Sequence, residues 1–127
     1  MIYGIGTDLI EISRIARSLD RFGERFAERI LCEPELRRFR SHVKPVAYLA
    51  KRFAAKEAFT KALGTGIRAP ANWHGVWVVN LNSGEPRLEF SAALAALLEE
   101  RGVRRSHVTI TDEREMASAT VILERDG

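Results

Sequence analysis

The stretch from residue 46 to residue 63 limits the fold more than any other part of this chain. It is the longest helical pattern, preceded by Lys44 and Pro45 and stopped by Gly64, Thr65 and Gly66, and such a helix must bury a face against other elements. Its apolar edge steps through Val46, Ala50 and Phe53 at intervals of four and three, and the next step of four lands on Glu57. An ionised carboxylate there is costly unless it is paired or bound to metal. Lys61, one turn on, is the ordinary partner, in a pairing that contributes about 0.3–0.5 kcal/mol when exposed. A ligand or metal site is the other reading, because perturbed carboxylates mark such sites.

The remaining sequence supplies the partners for this helix. Residues 2–5 read as a short strand that leaves into a tight turn at Gly4 and Gly6, with Thr7 and Asp8 at its exit. From Ile10 to Ile30 the apolar residues recur at three- and four-residue spacing, as in an amphipathic helix, with Gly23 a candidate break. A shorter helix is expected from Pro34, carrying Arg37, Arg38 and Arg40. Residues 77–81 and 86–90 form a hairpin joined by Asn82-Ser83-Gly84-Glu85. Residues 91–102 form a helix capped by Ser91 and ended by Gly102, and residues 107–111 and 117–124 are further strands. No linker or repeat divides the 127 residues, so one α+β domain spanning 1–127 is expected.

Cys32 is the only cysteine, which excludes an internal disulfide and suits a reducing compartment. The first dozen residues lack the order of a signal peptide, and no apolar run approaches membrane-spanning length. A cytoplasmic protein without a membrane partner is the expectation. Charge is unevenly spread: residues 1–68 carry 14 Lys or Arg against 8 Asp or Glu, and residues 69–127 carry 6 against 9. The N-terminal half should therefore attract an anionic partner.

Asp8, followed by Glu11 three residues later, reads either as a variant capping box or as a carboxylate that meets a ligand at a strand exit. If Asp8 and Glu57 converge, two oxygen ligands suit Mg²⁺, which takes one or two carboxylates together with substrate phosphate. Lys56, Lys61 and Arg52 supply cations on the same helix, and the GTG turn supplies glycine-exposed amides, although the dipole at a helix C-terminus disfavours an anion. The constellation suggests metal-assisted phosphoryl chemistry. His42 and His74 receive no role, His107 opens a strand near Asp112, and neither a zinc spacing nor a nucleophile–base pair is visible. Arg14, Arg17, Arg21 and Arg25 form a basic strip that is either a solvated face balanced by Asp20, Glu24 and Glu28 or a docking surface. A nucleic-acid-binding module is disfavoured, since no aromatics interleave with the basic residues. A catalytically silent oligomer is the other rival.

GIGTDLIEISRI at 4–15, KRFAAKEAFTKALGTGI at 51–67, SGEPRLEF at 83–90 and HVTITDEREMASATVILE at 107–124 together resemble the holo-[acyl-carrier-protein] synthases. The resemblance implies a compact phosphopantetheinyl transferase fold, an antiparallel sheet with a long central helix, assembled as a homotrimer with active sites at subunit interfaces. It implies transfer of 4′-phosphopantetheine from coenzyme A to a serine of apo acyl carrier protein, with release of adenosine 3′,5′-bisphosphate, in support of fatty acid biosynthesis. Asp8 and Glu57 are then the Mg²⁺ ligands and Lys61 the residue that contacts the pyrophosphate. Lys44, Arg52, Gly64, Thr65, Gly66, Pro86 and His107 fall among the coenzyme A contacts, and Arg14, Arg17, Arg21 and Arg25 dock the acidic carrier. Asp112 stands where many relatives have a second histidine, so no role transfers to it. The general base stays open between Glu57, a metal-bound water and neither.

Overall fold

The computed structural model describes residues 1–127 and begins with a strand, β1 (Ile2–Glu11). Three helices follow, α1 (Ile12–Phe22), α2 (Glu24–Ile30) and α3 (Glu33–Ser41), and then the long helix α4 (Pro45–Leu63). The hairpin β2 (Val76–Asn80) and β3 (Pro86–Phe90), helix α5 (Ala92–Glu100), and strands β4 (Val103–Asp112) and β5 (Met116–Arg125) complete the chain. No helix is long and apolar enough to cross a membrane.

β1, β5 and β4 form an antiparallel sheet in that order, with α4 against one face. Twelve of the 19 residues of α4 are buried, among them Ala54, Ala55, Ala58, Phe59 and Ala62. A helix covered on most sides is a core element, not a surface one. The strands meet it with alternate residues: Ala117, Ala119, Val121 and Leu123 of β5 are buried, and Val108 and Ile110 of β4 pack against the same core. From β1 the helix receives Gly4 and Gly6, where an added Cβ would lie 1.9 Å from the carbonyl oxygens of Ala62 and Ala58 respectively. The strand backbone thus rests directly on the helix backbone.

The opposite sheet face is open. Ile5 and Leu9 of β1 are exposed there, and the register aligns Ile5 with Ile122 and His107, and Leu9 with Ser118 and Thr111. The hairpin and α3 pack on α4 from the other side, and α5 packs on β4 and β3. Ser91 caps α5 through Leu94 N, as its sequence position indicates.

Two expectations for the N-terminal region are corrected. Gly4 and Gly6 form no turn, because β1 continues through Asp8 to Glu11, which pairs with Met116. Asp8 is therefore mid-strand and caps nothing: Glu11 precedes α1 with extended backbone and no side-chain cap. The helical region begins only at Ile12 and is divided at Gly23, whose φ of 69° and ψ of −159° leave helical space.

Because the atom facing Gly6 is backbone, it cannot move aside as a side chain would. Gly6→Ala should lower stability by about 3 kcal/mol or more, read as a shifted urea midpoint; a midpoint equal to wild type would refute the contact.

Candidate active site

Asp8 projects from β1 toward α4 with its side chain only 15% exposed. Lys61 reaches it from the last turn of α4, its Nζ donating to Asp8 Oδ1 at 3.0 Å and to the Thr7 carbonyl at 3.0 Å. Glu57 stands one turn earlier on the same helix. Burial pushes its carboxyl above the ordinary value of 4.5, the charge of Asp8 adds to that shift, and Lys61 and Arg14 oppose it. The exposed Glu57–Lys61 pair read from spacing is thus replaced by a cross-element contact to Asp8. Two carboxylates share the field of one ammonium at the α4/β1 seam.

No cluster of three or more His, Cys, Asp or Glu side chains is present, so the seam is not an all-protein metal cage. Its all-oxygen pair fits Mg²⁺, which draws few ligands from protein and the rest from water and phosphate.

Three of the other candidate features stand differently from expectation. Lys56 is wholly buried and paired with Glu35, so it is not available to a phosphate. The amides of Gly64, Thr65 and Gly66 all point back to the Thr60 carbonyl, at 2.9, 3.2 and 3.4 Å, closing the helix in a left-handed cap at Gly64. They are spent on the cap and are not free phosphate donors, although Gly64 and Gly66 remain exposed where a ligand can pass. The arginine strip is split, with Arg14, Arg17 and Arg21 on α1 and Arg25 on α2; all four are exposed.

Arg52 faces another cleft of α4. It is 5% exposed, donates from Nη2 to Asn80 Oδ1 at 2.8 Å and lies over the Tyr48 ring at 4.4 Å. Its Nε and the Tyr48 hydroxyl are buried without a partner, and Arg38, Lys51 and His42 line the same cleft. Lys44 is exposed just before α4, its amide donating to His42 Nδ1. Tyr48 and Asn80 were missed by sequence reasoning; Tyr48 carried a signal, since it precedes Arg52 by four residues on one helix face.

Pro86 and His107 line a third cleft, between β3 and β4, with Arg87, Arg104 and Arg105. His107 binds Glu124, and that hydrogen bond, with Arg105 nearby, holds the Glu124 carboxyl below its ordinary value. His107 lies on the open face, whereas Asp8 lies on the α4 face, so one chain does not bring these two together. Asp112 ends β4 and makes a long ion pair, 3.7 Å, to Lys51.

A family model described as the 4′-phosphopantetheinyl transferase superfamily matches residues 4–118. A holo-[acyl-carrier-protein] synthase of Nitrosomonas europaea is 51% identical over 125 residues, covering 98% of this chain and 100% of that protein. The chain belongs to the holo-[acyl-carrier-protein] synthases. Among solved structures, the synthase of Neisseria meningitidis is similar with a TM-score of 0.96 at 46% identity, covering 98% of this chain and 100% of that one. A Bacillus anthracis synthase described in complex with CoA (3′,5′-ADP) is similar with a TM-score of 0.83 at 37% identity, each chain covered to 99%. In this synthase-family chain, the seam between α4 and β1 therefore joins matched segments at both ends.

The raised Glu57 carboxyl has a stability consequence. A carboxyl that binds its proton more tightly in the folded state contributes stability below its unfolded value, and that contribution is lost as pH rises through the folded value. In metal-free buffer Glu57→Gln should therefore raise the thermal midpoint at neutral pH, and the gain should vanish as pH falls below 4.5. A variant less stable than wild type at pH 7 would contradict this.

Proposed function

We propose that this chain transfers 4′-phosphopantetheine from coenzyme A to a serine hydroxyl of apo acyl carrier protein, releasing adenosine 3′,5′-bisphosphate, with Mg²⁺ held by Asp8 and Glu57. The observation that carries the reading is the seam at which Asp8 pairs with the Lys61 ammonium and Glu57 feels the charge of both, in a chain of the synthase family. A single domain spanning 1–127 would act in the cytoplasm and supply carrier protein for fatty acid biosynthesis.

When bound, Mg²⁺ supplies neutralisation of the charge on the pyrophosphate oxygens. Lys61 spends two donors on Asp8 and Thr7, which leaves its third for a phosphate oxygen. Charge that grows in the transition state is met by an ammonium already held in place. The carrier brings the attacking hydroxyl, so the absence of a nucleophile–base pair in this chain is expected.

The nucleotide end of coenzyme A is assigned to cationic and cleft residues: Arg52 and Lys44 at one wall, Pro86 and His107 at another, with Gly64, Thr65 and Gly66 bordering the passage. His107 and Asp8 occupy opposite sheet faces, and a cleft shared by neighbouring copies reconciles them. The assembly is accordingly a homotrimer, with the apolar Ile5, Leu9 and Ile122 on the open face as contact surface. Arg14, Arg17, Arg21 and Arg25 present exposed positive charge to an acidic carrier.

Incubation with coenzyme A, Mg²⁺ and apo carrier, followed by intact mass, tests the activity: the carrier must gain the phosphopantetheine mass, and an unmodified carrier sinks the reading. Lys61→Ala should reduce kcat/KM about 10²-fold, mostly through kcat; a change confined to the KM for coenzyme A would limit Lys61 to ground-state binding. Arg14→Glu/Arg21→Glu should raise the KM for carrier at low salt and leave coenzyme A binding unaltered. Equal carrier KM values would remove the docking role. Sedimentation mass of the same preparations checks the trimer.

A further inference from the structure

Beside Glu57, but directed into the interior, Lys56 has no exposed surface and donates all three of its protons: to the Ile30 carbonyl at 2.7 Å, Glu35 Oε1 at 2.7 Å and the Trp73 carbonyl at 2.8 Å. Its Nζ also lies 3.9 Å from Cys32 Sγ. Glu35, 2% exposed, is equally occupied, accepting from Cys32 N on Oε1 and from Val78 N on Oε2, both at 3.0 Å. One ion pair thus ties together the end of α2, the first turn of α3, the middle of α4, the loop before the hairpin, and β2. A buried ion pair adds little net stability compared with apolar residues of the same volume. What it adds here is geometric, because each of its hydrogen bonds fixes a different segment against α4.

The segments it fixes carry the residues assigned to coenzyme A. Val78 is two residues from Asn80, which pairs with Pro86 across the hairpin and holds the Arg52 guanidinium. Arg52 lies one turn before Lys56 on α4. We infer that Lys56 and Glu35 are positioning residues for the coenzyme A cleft: they hold the β2–β3 hairpin in register with α4, so that Asn80 aims Arg52. Neither residue touches the ligand. The inference rests on the proposed use of Arg52 in coenzyme A binding, and it adds two residues that act through Asn80.

Lys56→Met/Glu35→Leu removes both charges and keeps the volume filled, which avoids leaving a lone buried ion. This pair should fold, by far-UV circular dichroism and a cooperative thermal transition, and should retain kcat at saturating coenzyme A and the KM for carrier. Its Kd for coenzyme A, measured by calorimetry in the presence of Mg²⁺, should rise about tenfold, since displaced binding groups lose affinity without losing chemistry. Arg52→Ala should then weaken binding far less in this background than in wild type, the non-additivity expected of residues acting through one contact. If that pair does not fold, Lys56→Met/Glu35→Gln, which also leaves no lone buried ion and keeps one acceptor oxygen, takes its place with the same expected rise. An unchanged Kd in the folded variant, or full additivity with Arg52→Ala, overturns the inference. Failure of wild type to bind coenzyme A would instead overturn the function proposed above, so the two failures are told apart.

Discussion

The contact between the backbones of β1 and α4 is the constraint on which the rest of the molecule depends. Gly4 and Gly6 let the helix lie against the strand with no side chain between them. The next residue of β1 on that face is Asp8, so its carboxylate emerges at the helix edge, within reach of Lys61. A bulkier residue at position 4 or 6 would lift the helix and separate that pair. The run Gly4-Ile5-Gly6-Thr7-Asp8 therefore works as one unit, two seats for the helix followed by the group that the seating delivers.

Adjacent residues of α4 handle charge in opposite ways. Lys56 is completely satisfied by three acceptors, and Glu35 opposite it is satisfied too. Glu57 is left in partial burial facing another carboxylate, with its proton held more tightly than usual. The first arrangement is rigid and closed. The second is strained first by burial and then by the neighbouring Asp8 charge, against which Lys61 and Arg14 only partly compensate.

The sequence made α4 legible because Pro45 and the GTG turn bracket a long pattern, and it made the hairpin and α5 legible through Gly84 and Ser91. β1 was under-read for a physical reason. Its helix-facing positions Gly4, Gly6 and Asp8 carry no apolar side chain, whereas Ile5 and Leu9 point away from the core and only Ile10 turns inward, so the usual alternation is inverted over residues 4–9. Ile10 then matched the spacing of Ile12 and Ile15 in α1 and drew the apparent start of that helix back into the strand. Arg104 and Arg105 similarly hid the beginning of β4. Spacing alone posed the convergence of Asp8 and Glu57 without deciding it, since only tertiary packing joins residues so distant in sequence. Lys56 was misread as a phosphate cation because its counter-ion, Glu35, lies 21 residues earlier on a different helix. The division between the Arg52 cleft and the His107 cleft had no sequence signal, because it depends on which sheet face each residue occupies.

The order of strands also has a consequence for synthesis. β5, the middle strand of the three-stranded sheet, follows both of its neighbours in sequence, so neither β1 nor β4 has a hydrogen-bonded partner in that sheet until β5 has left the ribosome. A nascent chain ending before Met116 holds α4 with Ala117, Ala119, Val121 and Leu123 missing from its cover, leaving apolar surface open to the solvent or to a holdase. Contacts this distant along the chain form slowly. Completion of the fold is therefore timed by the last ten residues of the sheet, and a ribosome stalled before them would carry a helix that lacks one of its covers.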